Sequence, residues 1–375
     1  MIMKILSIFL FIAINSCHKN TSSAGGIVSD SITTDSVTTP SLFQKYSKNP
    51  LFTIGNDIPV WRSIHAANVS LLAPQKTGNG KWLLFMRGSG NDADGYHDNI
   101  GRFEQDSATF NPLGAWTEAD NNPVLTHGTT GTYDAQNVLD EAALVNADKT
   151  ISMYYMGRDA NNRSSLCLAT SATNGFGFAK YSGNPLKEDV GPNDVVLYNN
   201  NYYVFYGDAK WNGSSFDEPL QIWLSLSPSA NTMSSAPSYA LQVGGFGSFD
   251  IYSVNGAKIF KVTGDERWFM LYQCSFKNFD YPERFHCAYS SDLIHWTKVA
   301  NTKPLLTRGK AGEFDQGAIW TGSVIEYNSV LYIYYEGWGS FTNDVIIRDN
   351  PYYTGGNSRV GIASCTTASF LSWAK

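Results

Sequence analysis

Acidic residues stand directly before short apolar runs at several points of this 375-residue chain. Asp140 and Glu141 precede Ala142-Ala143-Leu144, and Asp194 precedes Val195-Val196-Leu197. Two carboxyl groups that face one another can divide acid–base work, because one donates a proton while the other accepts one or attacks as a nucleophile. We therefore predict Glu141 and Asp194 as catalytic residues. For Glu141, a solvated or salt-bridged carboxylate is the alternative.

A second set of acidic residues recurs in a fixed sequence context. Tyr133-Asp134, Phe249-Asp250 and Phe314-Asp315 each place their Asp four residues before an apolar residue that opens a strand-like run. A residue that recurs in this way favours a structural role, such as closing a turn or capping a backbone N–H. Asp250 is nevertheless predicted as a catalytic residue and Asp315 as a binding residue.

The segments that carry these residues repeat along the chain. The phrase Asn49-Pro50-Leu51 returns at 122–125, 184–186 and 303–306, and with one further junction near Pro237 it divides the chain into five units. Each unit contains an apolar strand, an aromatic strand such as 151–155 and an alternating strand such as 165–171. A short fourth strand is marked by an aromatic residue: Trp116, Phe178, Trp296 or Trp373. Alternation with period two predicts strands, and no part of 42–375 shows a sustained helical period.

Four strands in each of five units predict an all-β fold, a five-bladed β-propeller with four antiparallel strands per blade. The composition agrees, with 33 Gly, 14% aromatic and only 16% charged residues. A generic β-sandwich is the alternative, and the fixed order of the repeated landmarks disfavours it. Because the inner strands of a propeller start at a shared axis, the carboxyl groups before them are expected to meet in an axial pocket.

The N-terminus predicts export and a lipid anchor. Lys4 is followed by an apolar run from Ile5 to Ile14, which is too short to span a bilayer. The run ends in Ile14-Asn15-Ser16-Cys17, which resembles a bacterial lipobox and implies cleavage before Cys17 and lipidation of its thiol. Residues 1–17 are thus a predicted lipoprotein signal, 18–41 a polar tether and 42–375 the propeller, held at the bacterial cell envelope. An ordinary signal peptide with an incidental Cys is the alternative.

Several partners and cofactors are disfavoured. The net charge is −6 and there is no run of basic residues, so nucleic acid is not an expected partner. No phosphate-binding or dinucleotide-binding motif follows a strand, which argues against a nucleotide. Four further cysteines match no zinc spacing, and no disulfide is assigned. Asp92 and Asp94 give a weak signal for structural calcium without an EF-hand spacing, so no cofactor is expected.

One phrase carries a family resemblance. Ser290-Ser291-Asp292-Leu293-Ile294-His295-Trp296, together with the Tyr-Tyr strands, resembles the five-bladed propeller glycosidases of glycoside hydrolase families 43, 32, 68 and 117 and the related family 130. The resemblance implies a glycoside hydrolase that acts on a polysaccharide or oligosaccharide. The three carboxylates of family 43 do not carry over, because Ala66, Gly191 and Asn255 stand at their places.

The resemblance implies a two-carboxylate mechanism in the axial pocket, with Glu141, Asp194, Asp250 and His65 as the predicted catalytic set. The predicted substrate-binding residues are Trp61, Asn68, Asp98, Arg158, Asn255, Asp315 and Trp320. Two alternatives stay open. One is a carbohydrate-binding propeller without catalysis. The other is a phosphorylase or transferase, which needs a cationic site from residues such as Arg62, Arg87, Arg102 and Arg158.

Overall fold

The computed structural model describes residues 40–210, 219–275, 282–310, 312–339 and 357–375. Five small antiparallel sheets form a ring, which confirms the predicted five-bladed β-propeller. Among the described residues, helices are few: α1 (Pro74–Thr77), α2 (Thr367–Trp373) and two 3₁₀ turns, Val60–Arg62 and Ser107–Thr109. No described helix is long and apolar enough to cross a membrane.

Each blade is one sheet whose first-named strand lies at the propeller axis. Blade I consists of β2 (His65–Leu72), β3 (Lys81–Asp92), β4 (Gly95–Asp106) and β5 (Thr117–Glu118). Blade II consists of β6 (Asn137–Val145), β7 (Ile151–Arg158), β8 (Ser164–Ser171), β9 (Ala179–Lys180) and β10 (Lys187–Glu188). Blade III consists of β11 (Val190–Tyr198), β12 (Asn201–Asp208), β13 (Ile222–Ser227) and β14 (Ser238–Leu241).

Blade IV consists of β15 (Ser253–Phe260), β16 (Trp268–Ser275), β17 (Arg284–Ser290), β18 (Thr297–Lys298) and β19 (Leu306–Thr307). Blade V consists of β20 (Ala318–Tyr327), β21 (Val330–Trp338), β22 (Arg359–Thr366) and, from the other end of the chain, β1 (Gln44–Lys45).

Apolar side chains on both faces of the second strands hold neighbouring blades together. Tyr154 and Tyr155 are consecutive in β7, so they point to opposite faces, yet both are fully buried. Five large apolar clusters correspond to the five blade interfaces. Their members include Phe85 with Tyr155, Tyr154 with Val204, Phe205 with Met270, Leu271 with Ile333, and Tyr334 with Val69. A blade removed from this ring would expose both of its faces.

The repeated Asn-Pro phrase has a common structural role. The side-chain amides of Asn49, Asn122 and Asn184 each accept a backbone N–H and donate to the carbonyl of the same residue in a third strand. These residues are Ile362, Arg102 and Leu168. Each Asn thereby completes the outer edge of a blade where the chain passes to the next unit.

Trp373 does not mark a fourth strand, and this prediction was wrong. Trp373 lies in α2, whose N-cap residue Thr366 accepts a hydrogen bond from the Ser369 N–H at 3.1 Å. The fourth strand of blade V is β1, which pairs with β22 so that Gln44 faces Ser364. The two ends of the chain therefore close the ring together, a pairing that local sequence spacing does not indicate.

The closure predicts a large stability effect at Phe43, which precedes β1 and is 2% exposed in the cluster between blades IV and V. We expect Phe43→Ala to lower the free energy of unfolding by about 3–5 kcal/mol, because it leaves a cavity at the seam. Phe246 is fully exposed, so Phe246→Ala serves as the control, with a change within about 0.5 kcal/mol. Equal urea denaturation midpoints for the two variants would contradict this account of closure.

Candidate active site

A bulge interrupts every inner strand at the same height. The unpaired residues are Asn68 in β2, Asp140 and Glu141 in β6, Asn193 in β11, Gly256 and Ala257 in β15, and Gly322 in β20. Bulges bend a strand and redirect its side chains. Gly256 needs its positive φ of 62°, and a Cβ there would lie 2.4 Å from both Gln273 Oε1 and Thr321 Oγ1. The bulges therefore determine which polar groups reach the axis.

The second strands contribute one polar residue each to the same place. Each antiparallel second strand returns toward the axial mouth and carries a charged or amide side chain in its last six residues. These five side chains, Arg87, Arg158, Asp208, Gln273 and Glu336, all line an axial cavity of about 250 Å³. Every blade thus supplies the cavity from two strands.

Arg87 joins three blades at this cavity. Its guanidinium lies 2.8 Å from a Glu336 carboxylate oxygen and 3.6 Å from one of Asp140. Glu336 also accepts hydrogen bonds from the Ser358 hydroxyl at 2.5 Å and the Asn68 backbone N–H at 3.2 Å. Burial raises the pKa of Glu336, although Arg87 and Ser358 oppose the rise. The cavity therefore holds two buried carboxyl groups whose pKa burial raises, Glu336 and Asp98, together with Asp140, whose side chain is 38% exposed.

A second cluster of titratable side chains surrounds Lys258. Its ammonium donates to the Asn193 carbonyl at 2.6 Å, and burial lowers its pKa. Glu141 is fully buried, and neither of its carboxylate oxygens accepts a hydrogen bond from another described residue. Burial raises the pKa of Glu141 to about 8, against the attraction of Lys258. Burial therefore favours the protonated form of Glu141.

His65 enters the cavity as a neutral ring. Its Nδ1 accepts the Ser358 backbone N–H at 2.8 Å, so the ring proton is on Nε2. Burial, followed by the positive charge of Arg87, lowers its pKa to about 3. At neutral pH His65 can donate a hydrogen bond to a ligand in the cavity, but it has no proton to give up as an imidazolium.

Six predicted site residues line the axial cavity: His65, Asn68, Asp98, Arg158, Asn255 and Trp320. Five others are not among the described residues that line it: Glu141, Asp194, Asp250, Asp315 and Trp61. At the β6 bulge it is Asp140 that reaches the cavity, while Glu141 turns into the interior. Asp194 accepts the backbone N–H groups of Val195 and Ile259 at 2.8 and 2.6 Å. The side chain of Trp61 packs into the apolar cluster between blades I and V.

The repeated aspartates occupy equivalent positions outside this cavity. Asp134, Asp250 and Asp315 each pair with a lysine from an outermost strand: Lys180, Lys298 and Lys45. The backbone carbonyl of each also accepts the N–H of a glycine six residues earlier: Gly128, Gly244 and Gly309. Each aspartate therefore closes a turn and ties the inner and outer edges of its blade.

Sequence reasoning did not select Asp140, Lys258 or Glu336 as site residues, and it considered Arg87 only as a scattered cation. The available signal was the polar residue after each aromatic strand, as in Phe85-Met86-Arg87 and Tyr334-Tyr335-Glu336. The prediction used this position in one blade only, at Arg158 of β7.

No protein-family model matches the sequence, and no curated protein matches it. Among solved structures, a β-1,2-mannobiose phosphorylase from Listeria innocua aligns with a TM-score of 0.61 at 15% identity, over 88% of this chain and 99% of the other. An N-acetylgalactosamine deacetylase from F. plautii gives 0.62 at 15%, over 89% and 98%. A thermostable family-43 glycoside hydrolase gives 0.56 at 15%, over 82% and 91%. The chain has the five-bladed propeller fold of family-43-type and related glycoside hydrolases.

The burial of Glu141 predicts a pH-dependent stability. The folded pKa of about 8 lies above that of an exposed glutamate, so the unfolded chain releases a proton that the native chain keeps. This makes native stability fall as pH rises from about 4.5 to about 8. Glu141→Gln removes this titration. We therefore expect the free energy of unfolding of the variant, minus that of the unmodified protein, to be larger at pH 8 than at pH 5.

The measurement is urea denaturation at both pH values, and the control is the exposed Glu266→Gln. The control is expected to follow the unmodified protein at both pH values. If the stability of Glu141→Gln also changes with pH as that of the unmodified protein does, Glu141 is ionised in the native state and this description of its environment is wrong.

Proposed function

We propose that this protein is a glycoside hydrolase that binds a polysaccharide or oligosaccharide in the axial cavity. The observation that carries the proposal is the placement of two carboxyl groups, Asp140 and Glu336, on one guanidinium at the cavity. Glycoside cleavage uses one carboxylic acid to protonate the leaving oxygen and one carboxylate to activate water or attack the sugar. The solved structures with the same fold include a family-43 glycoside hydrolase, which supports this reaction class.

Glu336 suits the role of general acid. It is buried, its pKa is raised, and three donors hold its side chain in one orientation. Asp140 suits the role of base or nucleophile, because its side chain is more exposed and lies 3.6 Å from the Arg87 guanidinium. The sequence-based assignment of the reaction to Glu141, Asp194 and Asp250 stays a prediction, and the geometry favours Glu336 and Asp140 over it.

Neutral and aromatic groups around the carboxyl pair suit a sugar. Trp320 and Trp338 both line the cavity, with ring centroids 5.8 Å apart. Such faces pack on the C–H groups of a pyranose ring. The imidazole of His65, the amide of Asn255 and the guanidinium of Arg158 also line the cavity and can hydrogen-bond hydroxyl groups.

A glycoside phosphorylase is the second candidate. Arg87, Arg158 and Lys258 all line the cavity, which is the cationic feature that a phosphate site requires. Hydrolysis is favoured because Arg87 is already paired with two carboxyl groups, which leaves its guanidinium less available to a phosphate. Assays of a glycan panel with and without inorganic phosphate separate the two activities. Binding without any cleavage in either assay would favour a carbohydrate-binding propeller.

The assignment of Glu336 as the general acid predicts the effect of one substitution. Glu336→Gln keeps the shape of the side chain but cannot donate a carboxyl proton, so we expect kcat to fall by about 10²–10⁴-fold. The affinity for the glycan is expected to fall much less. Initial rates and calorimetric binding to the same glycan measure the two quantities.

The matched control is Glu326→Gln, which changes the same residue type in the neighbouring strand β20, where Glu326 bonds Thr263 and Thr367 instead. Its kcat is expected to equal that of the unmodified protein. Equal turnover of the Glu336→Gln and Glu326→Gln variants would show that Glu336 is not the general acid.

We also propose that the protein is lipid-anchored at the bacterial cell envelope. The proposal rests on the lipobox-like sequence that ends at Cys17, which lies outside the described residues. Cys17→Ala is expected to leave the precursor unlipidated, so that it no longer partitions with membranes in cell fractionation. Membrane partitioning equal to that of the unmodified protein would overturn the anchor.

A further inference from the structure

Three potential metal ligands converge outside the axial cavity. Asp92 ends β3, His97 lies in β4, and His127 lies in the connection from blade I to blade II. One ligand atom from each lies within 4.8 Å of the other two. The His97 and His127 rings are stacked, with centroids 3.7 Å apart and an interplanar angle of 11°. Nothing in the proposed glycosidase reaction uses this cluster.

Hydrogen bonds to the backbone fix which nitrogen of each ring is available. His97 Nδ1 lies 2.6 Å from the Gln136 carbonyl, and His127 Nδ1 lies 3.0 Å from the Gly128 carbonyl. A carbonyl oxygen accepts but cannot donate, so both Nδ1 atoms carry a proton and the neutral rings present Nε2 lone pairs. Metal-binding histidines use this arrangement, with the distal N–H held by an acceptor.

The available atoms of the cluster are all electron-pair donors. His97 Nε2 lies 3.9 Å and His127 Nε2 lies 3.6 Å from the two oxygens of Asp92. His97 is 6% exposed, and its buried Nε2 has no hydrogen-bond partner among the described residues. When both rings are neutral, two lone pairs and a carboxylate this close together repel one another unless a cation binds them.

We propose that Asp92, His97 and His127 bind a divalent transition-metal ion, with Zn²⁺ as the reference ion. Two imidazoles and one carboxylate suit zinc and its first-row neighbours, whereas calcium prefers oxygen ligands alone. Ligand atoms about 2.0–2.1 Å from a tetrahedral zinc are about 3.4 Å apart. The two nitrogen–oxygen separations, 3.9 and 3.6 Å, exceed this value by a few tenths of an ångström.

Three protein ligands leave one coordination position open, as in catalytic zinc sites. Asp92 and His127 also line a second cavity, together with Asn99. The open position can therefore hold water or an oxygen of a ligand in that cavity. His97 also stands between Tyr96 and Asp98, which line the axial cavity. The metal would thus fix the wall that separates the two cavities.

The test is calorimetric titration of the tag-free, chelator-treated full chain with Zn²⁺, and with Ca²⁺ as a comparison. We expect one Zn²⁺ per chain and no comparable affinity for Ca²⁺. Asp92→Asn and His127→Ala are expected to weaken Zn²⁺ binding at least about tenfold. The side chains of Asp92 and His127 are more exposed than that of His97, so substituting them is less disruptive to folding.

Asp94→Asn is the matched control, because it makes the same chemical change two residues along the same hairpin and is expected to leave the dissociation constant unchanged. His295→Ala tests the exposed His295–Asp292 pair as a competing surface site and is also expected to change nothing. Zn²⁺ at the same concentration should raise the Tm of the unmodified protein and of Asp94→Asn equally, and that of Asp92→Asn by less.

The proposal is overturned if Zn²⁺ does not bind stoichiometrically, which would mean that protons satisfy the two histidines. It is also overturned if Asp92→Asn binds as tightly as Asp94→Asn, or if His295→Ala abolishes binding.

Discussion

The ion pair between Arg87 and Glu336 is the interaction on which the axial site depends. It joins blade I to blade V, the blade in which the two ends of the chain pair, and Asp140 brings blade II to the same guanidinium. Removing one member of a buried pair leaves the other charge uncompensated, at a cost of about 3–5 kcal/mol. The joining of blades I and V and the arrangement of the carboxyl groups are therefore coupled, because both depend on the same contact.

The fold was largely predictable from the sequence because its strands are local and regular. Alternation within each unit and the recurring Asn-Pro phrase indicate five four-stranded blades. The exception is blade V, where β1 comes from the opposite end of the chain and α2 stands where a strand was expected. A pairing between residues 44 and 364 leaves no signal in the spacing of neighbouring residues.

The site was predictable only in part, for a related reason. His65, Asn68 and Asn255 were found because the starts of inner strands face the axis in any propeller. Bulges then shift the register by one residue, so that Asp140 rather than Glu141 reaches the cavity. Glu336 and Arg87 come from second strands, and Arg158 was the one residue of a second strand predicted to bind substrate. Period-two patterns identify strands, but they do not show where the period is interrupted.

The central claim is that a sugar binds between Asp140 and Glu336, and a crystal structure of the Glu336→Gln protein with a glycan tests it most directly. The account predicts a sugar ring in the axial cavity, with its glycosidic oxygen in hydrogen-bond reach of the substituted amide and Asp140 across the ring. A glycan bound elsewhere on the propeller, with only solvent between these two residues, would contradict it.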